Sequence, residues 1–401
     1  MVKGIGNVLY CDFKGEKLSR LGFGAMRLPL LADGSVDKKQ TEAMVALALE
    51  KGINYFDTAY PYHGGLSELV MGEVLSSYPR QSFNLADKFP GHQISASYDP
   101  AATFAEQLQK CRVDYFDYYL LHNVCEASLP VYEDQRWGIM DYFAEQRRQG
   151  RIRHLGFSSH ARPENLRYFL DKYGQELEFC QIQLNYLDWT LQDAQAKCAI
   201  LAEHAMPIWV MEPVRGGKLA HLPESLAQRL RGLRGGESQA AWAFRWLQSQ
   251  GQVKVILSGM SNLAQLDDNL RTFAEEKPLS AEEEQVLAEI TEALQDSLPC
   301  TGCRYCCDGC HRKLDIPMLL NAYNDVRFDG GLTVKMQMDA LADEKQPSAC
   351  IGCGACAQIC PQGIDIPGAM RDFAERLRGM TSWAEICRQR EEANRRAQLL
   401  R

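Results

Sequence analysis

Apolar positions along this chain of 401 residues fall into two alternating patterns. Short runs rich in β-branched and aromatic residues recur near 20–26, 53–57, 83–88, 117–122, 152–158, 180–184, 207–211 and 253–258. Such runs read as strands. Between them lie longer stretches of helical period, among them 38–51, 101–111, 136–149, 190–204 and 262–273. In the first, Ala43, Leu47 and Ala48 recur on one face. Eight strands, each followed by a helix, predict an α/β fold, a closed parallel (β/α)8 barrel of the TIM type. An open doubly wound sheet is the alternative, but "GFGAMR" after the first strand lacks the GxGxxG phosphate turn. Residues 7–19 are short enough to form a hairpin closing the barrel floor.

The acidic stretch 279–295 opens with Ser280 and Glu283 at capping-box spacing, which predicts a helix. A boundary follows near Ser297–Pro299. The expected division is a barrel over 1–297, a second unit over 298–370 with a helical insert, and a C-terminal helix over 371–401. On that last helix Phe373, Leu377, Met380 and Trp383 form an apolar stripe that reads as a docking face. No internal repeat and no low-complexity segment is read. A formal charge of −8 argues against nucleic acid or an anionic membrane as partner. No signal peptide and no membrane-spanning run is read, so a cytoplasmic protein is expected.

Cysteine usage changes the picture. The chain has 15 cysteines. Cys11, Cys111, Cys125, Cys180 and Cys198 stand alone and read as small apolar side chains. The rest crowd the tail. Cys350, Cys353, Cys356 and Cys360, followed by Pro361, have bacterial ferredoxin spacing, and Cys300, Cys303, Cys306 and Cys310 match it. In that motif the fourth thiolate ligates the other cluster. Two 4Fe–4S clusters are expected, one on Cys300, Cys303, Cys306 and Cys360, the other on Cys350, Cys353, Cys356 and Cys310. Cys307 and Cys387 are left as spectators. Structural zinc, the competing metal, prefers two separated cysteine pairs. Two departures stand out: His311 rather than proline follows Cys310, and the gap between the runs is long.

Chemistry in such barrels sits at the strand ends. There the sequence places Asp57 and, five residues on, Tyr62; then Lys88; then His122. The stretches "FDTAYPYHGGLSE", "LADK", "LLH", "GFSSH" and "VILSGMSNLAQLDDNL" resemble the aldo/keto reductases over about residues 18–275. The tail is similar to that of a branch carrying a ferredoxin-like domain. The resemblance implies a nicotinamide-dependent reductase of aldehydes or ketones that needs no metal for its hydride transfer. Tyr62 would give the proton, with Tyr60 its competitor. Lys88 would lower the phenol pKa from about 10, Asp57 would hold Lys88, and His122 would bond the substrate oxygen. The resemblance also implies nucleotide contacts from Ser158, Ser159 and Gln181 to the carboxamide, and from Met211 to the nicotinamide ring. Gly216, Gly217, Ser258, Gly259 and Met260 would meet the phosphates, and Gln265 and Asn269 the adenine end. These contacts leave NADH and NADPH undivided. Trp189 and Tyr186 are candidates for the substrate wall.

Nicotinamide gives two electrons together and each cluster takes one; flavin normally bridges that mismatch, and no flavin fingerprint is visible. The clusters would therefore exchange electrons with a partner protein or another cofactor, sense redox state, or brace the tail. The alternative from another class is an electron-transfer or redox-sensing protein whose barrel binds nucleotide without turnover.

Overall fold

The computed structural model describes residues 6–93, 95–126, 128–222, 224–294, 298, 300, 305–329, 332–360 and 364–399. Two strands, β1 (Tyr10–Phe13) and β2 (Glu16–Ser19), pair as an antiparallel hairpin. Eight more follow: β3 (Leu21–Gly24), β4 (Tyr55–Asp57), β5 (Asn84–Phe89), β6 (Phe116–Val124), β7 (Ile152–Ser159), β8 (Cys180–Gln183), β9 (Ile208–Met211) and β10 (Val253–Ser258). They close into a barrel in the order β10-β3-β4-β5-β6-β7-β8-β9, with parallel neighbours throughout. The expected (β/α)8 barrel is therefore present, and the open sheet is excluded.

Alternation along the strands makes two cores. One set of side chains fills the barrel: Tyr55, Ala86, Tyr118, Leu120, Phe179, Trp209 and Val255, all fully buried. Phe13 of the hairpin joins them, its ring 4.9 Å from Trp209 and 5.1 Å from His154. The hairpin thus plugs the floor. The other set faces outward and packs under the helices. On the helix Lys38–Glu50 the buried face is Thr41, Met44, Val45 and Ala48. Ala43 is exposed, so the stripe expected from the sequence is rotated, because Met44 and Val45 give the larger apolar surface. Asp37, Asp99, Ser238 and Asn262 cap their helices with side-chain oxygens. The Ser280–Glu283 capping box forms in both directions, at 2.7 and 3.3 Å, and starts the helix Ala281–Leu294.

The tail has its own apolar core. Two of its helices, Ile316–Asp329 and Ile366–Arg378, pack together, with Tyr323 and Phe373 at 5.6 Å. Here an internal repeat is present after all. Cys300, Cys303, Cys306, Cys310, Asp315, Ile316 and Pro317 recur at one interval as Cys350, Cys353, Cys356, Cys360, Asp365, Ile366 and Pro367. The copies share structure: Asp315 caps Met318 N at 3.3 Å and Asp365 caps Gly368 N at 3.1 Å. The intervening helix Leu332–Asp339 was absorbed into the expected insert. The stretch expected as one terminal helix is two. Ile366–Arg378 ends at Gly379, and a second helix runs Trp383–Leu399. Phe373 and Leu377 face the tail core, whereas Trp383 packs with Met336 and Cys387 in a separate small cluster.

Gly72, on the helix Leu66–Leu75, lets that helix approach the end of the helix Pro100–Cys111. A Cβ there would stand 2.2 Å from the Lys110 carbonyl oxygen. Gly72→Ala is expected to lower stability by about 1–3 kcal/mol, read from the denaturation midpoint. Gly232→Ala, whose added carbon meets no neighbour, is expected to show no such loss.

Candidate active site

Three consecutive barrel strands deliver three polar side chains to one end. Asp57 closes β4, Lys88 lies near the end of β5, and His122 lies near the end of β6. The register places Asp57 opposite Ala86 and Lys88 opposite Leu120, so each polar residue lies two positions further along its strand than its neighbour on the strand before. Lys88 is fully buried and Asp57 nearly so. The Lys88 ammonium donates to Asp57 Oδ1 at 2.6 Å and to the Thr58 carbonyl at 2.7 Å. Its nitrogen stands 5.0 Å from the centre of the Tyr62 ring. Tyr62 begins a tight turn, Tyr62–Gly65, in which His63 (φ 52°) and Gly64 (φ 64°) are left-handed. His63 Nε2 accepts from Leu28 N at 3.1 Å and ties that turn to the loop after β3. The His122 ring lies edge-on to Tyr62, with centroids 6.1 Å apart. The four expected groups therefore converge. Tyr60 does not join them: its hydroxyl donates to Glu106 at 3.2 Å, and Lys110 covers its ring.

The electrostatics correct one expectation. Burial would pull the Lys88 ammonium down, but Asp57 and Tyr62 outweigh it and the net shift is upward. Lys88 is the cation of the site. The Tyr62 phenol, however, lies above its ordinary value: burial raises it more than Lys88 lowers it. Lys88 tempers that rise and does not reverse it. His122 is pushed well below its ordinary range by burial, with the positive or partly positive surroundings of His92 and Lys88 adding to this. A neutral imidazole results. Its Nδ1 has no hydrogen-bond partner among the described residues.

The expected nucleotide contacts form a crescent from β7 to β10. Gln181 is buried, and its Oε1 has no hydrogen-bond partner. An orphaned amide oxygen beside the barrel mouth suits an amide N–H of a ligand. Ser158 Oγ accepts from Asn123 N at 2.8 Å. Ser159 Oγ is committed to the backbone, donating to Val124 O and accepting from Ala161 N. Met211 ends β9 half-buried. Beyond it Glu212, Arg215, Gly216 and Gly217 all take positive φ. That strained loop is held by Arg215, which pairs with buried Asp188, itself bonded by Gln183 and Asn185. Ser258 Oγ accepts from Asn269 at 2.7 Å, and Gln265 Oε1 accepts from Ser261 N at 2.7 Å. The Met260 side chain is buried in the outer core and offers only its backbone. Trp189 packs on Trp246 at 5.5 Å and Tyr186 is buried, so neither stands out as a substrate wall.

Sequence reasoning missed several residues here. Arg27 bridges the two phosphate-side loops: it approaches Glu212 at 3.7 Å, and its side chain packs against Gly259. Its only sequence signal is its place just after the first strand. His92 and Arg390 gave no signal, and Trp383 only that of a helix docking face. His92 lies 4.2 Å from the His122 ring, and Trp383 stacks on His92 at 5.3 Å and donates Nε1–H to its carbonyl at 2.9 Å. The tail therefore reaches the barrel mouth.

In the tail, Cys310, Cys350, Cys353 and Cys356 line one cavity, with Leu314, Ile316, Ile366 and Met370 behind them. These are the four cysteines expected to share a cluster, including the one taken from the first run. Among the described residues, no three His, Cys, Asp or Glu side chains close on a point as a single metal ion requires. Four thiols around an apolar cavity suit a cluster better than one ion. Leu314 N also donates to Cys310 Sγ at 3.5 Å. Of the other set, Cys306 is buried near Cys300, and Cys360 is half-buried. Cys303 lies outside the described residues.

Comparison with known proteins agrees with this picture. The model of the aldo/keto reductase family matches residues 20–292, and that of the 4Fe-4S dicluster domain matches residues 299–364. A probable aldo-keto reductase 1 of Glycine max is 25% identical, over 65% of this chain and 82% of its own length. The L-galactose dehydrogenase of Arabidopsis thaliana is 24% identical, over 70% of this chain and 92% of its own. Among solved structures, the holo form of aldo-keto reductase AKR11C1 from Bacillus halodurans superposes with a TM-score of 0.58 at 25% identity. It covers 71% of this chain and 96% of its own. Among the described residues no helix is long and apolar enough to cross a membrane.

His92 gives a pH signature. Burial, with Arg390 and His160 adding to it, lowers its pKa to about 3. The unfolded chain would titrate near 6.5. Between those values the unfolded state binds the extra proton, so stability falls as pH falls. From pH 7 to pH 5 the expected loss from this residue is about 2 kcal/mol. Chemical denaturation at both pH values should find a correspondingly smaller drop in His92→Asn.

Proposed function

The chain belongs to the aldo/keto reductase family and carries a 4Fe-4S dicluster domain, and from that premise we propose that it reduces an aldehyde or ketone with NAD(P)H, Tyr62 donating the proton. The nucleotide supplies the hydride to the carbonyl carbon. As that bond forms, the carbonyl π pair moves to oxygen, and the Tyr62 O–H releases its proton there to give the alcohol. A phenol kept protonated by burial is ready to act as an acid. Lys88 stabilises the phenolate left behind, and Asp57 and the Thr58 carbonyl hold the ammonium in place. The neutral His122 ring, facing Tyr62, bonds the substrate oxygen and fixes its approach. The observation that carries this reading is the buried Lys88 bridging Asp57 and the Tyr62 ring.

For the nucleotide, Gln181 Oε1 would accept from the carboxamide, with Ser158 beside it in register and Ser159 fixing the strand end. Met211 would lie against the nicotinamide ring. Gly216, Gly217, Ser258, Gly259 and the Met260 backbone would meet the phosphates, with Arg27 as the cation. Gln265 and Asn269 would stand at the adenine end. In the tail, one 4Fe–4S cluster would be held by Cys310, Cys350, Cys353 and Cys356, the other by Cys300, Cys303, Cys306 and Cys360. Such clusters supply one-electron chemistry and folding free energy. The lining of the first by four cysteines from two runs supports the crossed assignment.

Tyr62→Phe is expected to lower kcat/KM for a panel of aldehydes and ketones by about 10²- to 10⁴-fold, with iron and sulfide content unchanged. Turnover that survives the change would remove Tyr62 from the mechanism. Anaerobically purified protein should contain about eight iron and eight sulfide per chain, and Cys310→Ala about half of each. Stoichiometric zinc in their place would remove the clusters.

A further inference from the structure

We propose that Arg390, carried on the last helix, is a specificity residue that binds an anionic group of the substrate, a carboxylate or phosphate on the same molecule as the reducible carbonyl. The inference rests on the reductase reading above and adds the substrate class. The helix Trp383–Leu399 packs on the turn that bears Tyr62. Its first residue is locked in place. Trp383 Nε1–H donates to the His92 carbonyl at 2.9 Å, and its ring lies on the His92 imidazole, 29° from parallel. His92 in turn touches His122, which faces Tyr62. A continuous line of rings joins the tail helix to the catalytic phenol.

Arg390 lies two turns beyond Trp383, on the same face. Its guanidinium covers the Trp383 ring at 5.2 Å, and its charge is felt by His92, His122 and Tyr62. The side chain is half-buried. Other buried arginines of this protein are paired: Arg80 with Asp117, Arg215 with Asp188, Arg245 with Glu237. Arg390 has no carboxylate partner among the described residues. The carboxylates near the mouth are already engaged, Asp57 by Lys88 and Glu212 by Arg27. A half-buried guanidinium without an anion is incompletely satisfied, and its planar fork matches a carboxylate or phosphate. His92 and His160 stay neutral above about pH 4 and do not compete for the anion. Arg390 is thus a positive charge beside the Trp383–His92–His122 line of rings that has no carboxylate partner among the described residues.

The test uses full-length, cluster-loaded protein and matched carbonyl pairs: 4-carboxybenzaldehyde against 4-methylbenzaldehyde, succinic semialdehyde against butanal, and glyceraldehyde 3-phosphate against glyceraldehyde. The wild type is expected to favour the anionic member of at least one pair by about 10-fold or more in kcat/KM, and the pairs separate carboxylate from phosphate. Arg390→Gln is expected to raise KM for that anionic member by about 10- to 100-fold, collapsing the ratio within the pair. Arg390→Lys should recover part of it, which a merely structural role would not do. Wild-type protein that reduces both members of every pair equally well overturns the proposal and leaves the reductase reading standing. So does a ratio unchanged in Arg390→Gln. If no carbonyl is reduced at all, the reductase reading itself fails, and this inference with it.

Discussion

A lysine ammonium sealed inside a barrel is the constraint around which this molecule is organised. Lys88 has no exposed surface and Asp57 very little. A charge so placed is tolerable only if partners replace water, and they must be rigid. Asp57 and Thr58 supply two acceptors from β4 and its end, directly beside β5. The Tyr62 phenol is a further neighbour, its ring centre 5.0 Å from the ammonium. The closed strand order makes this work, since loss of register between β4 and β5 would leave the ammonium buried and alone. That register is the pairing of Tyr55, Phe56 and Asp57 with Asn84, Leu85 and Ala86.

Much of this was legible in the sequence because it depends on local periodicity. Strand runs, helix caps and the capping box are written within a few residues, and the structure keeps them. The polar residues at the strand ends were legible because the barrel topology brings such ends together by itself. The stripe on the first long helix was placed wrongly, since alanines gave no weight to decide between adjacent faces. The choice of Tyr62 over Tyr60 came from a resemblance and not from the residues; the structure separates them physically, by giving Tyr60 to Glu106 and Lys110. The expected fall in the Tyr62 pKa failed because burial depth cannot be read from spacing, and burial won.

The tail was legible as ligand chemistry and less so as architecture. Cysteine spacing announced clusters, while the Asp-Ile-Pro recurrence was hidden by dissimilar sequence between its copies. The contacts of Trp383 and Arg390 with the barrel had no sequence signature. They join residues remote along the chain, and their stripe suggested ordinary helix docking. Nor does the barrel meet the tail only there: Gln337 reaches the His160 carbonyl, and Arg215 approaches Asp325. The two cores are thus joined at several places, and the helix Trp383–Leu399 packs on the turn that bears Tyr62.

That arrangement has a consequence for biosynthesis. A ribosome releases the polypeptide from its N-terminus, and domains fold as they emerge. Asp57, Lys88 and His122 are all made long before the helix that carries Trp383. The nascent barrel therefore passes through a stage in which Trp383 does not yet lie on His92, and that contact forms only after residues 123–382 have followed His122. Assembly of the mouth follows translation order, from the strand-end residues to the helix that packs over them.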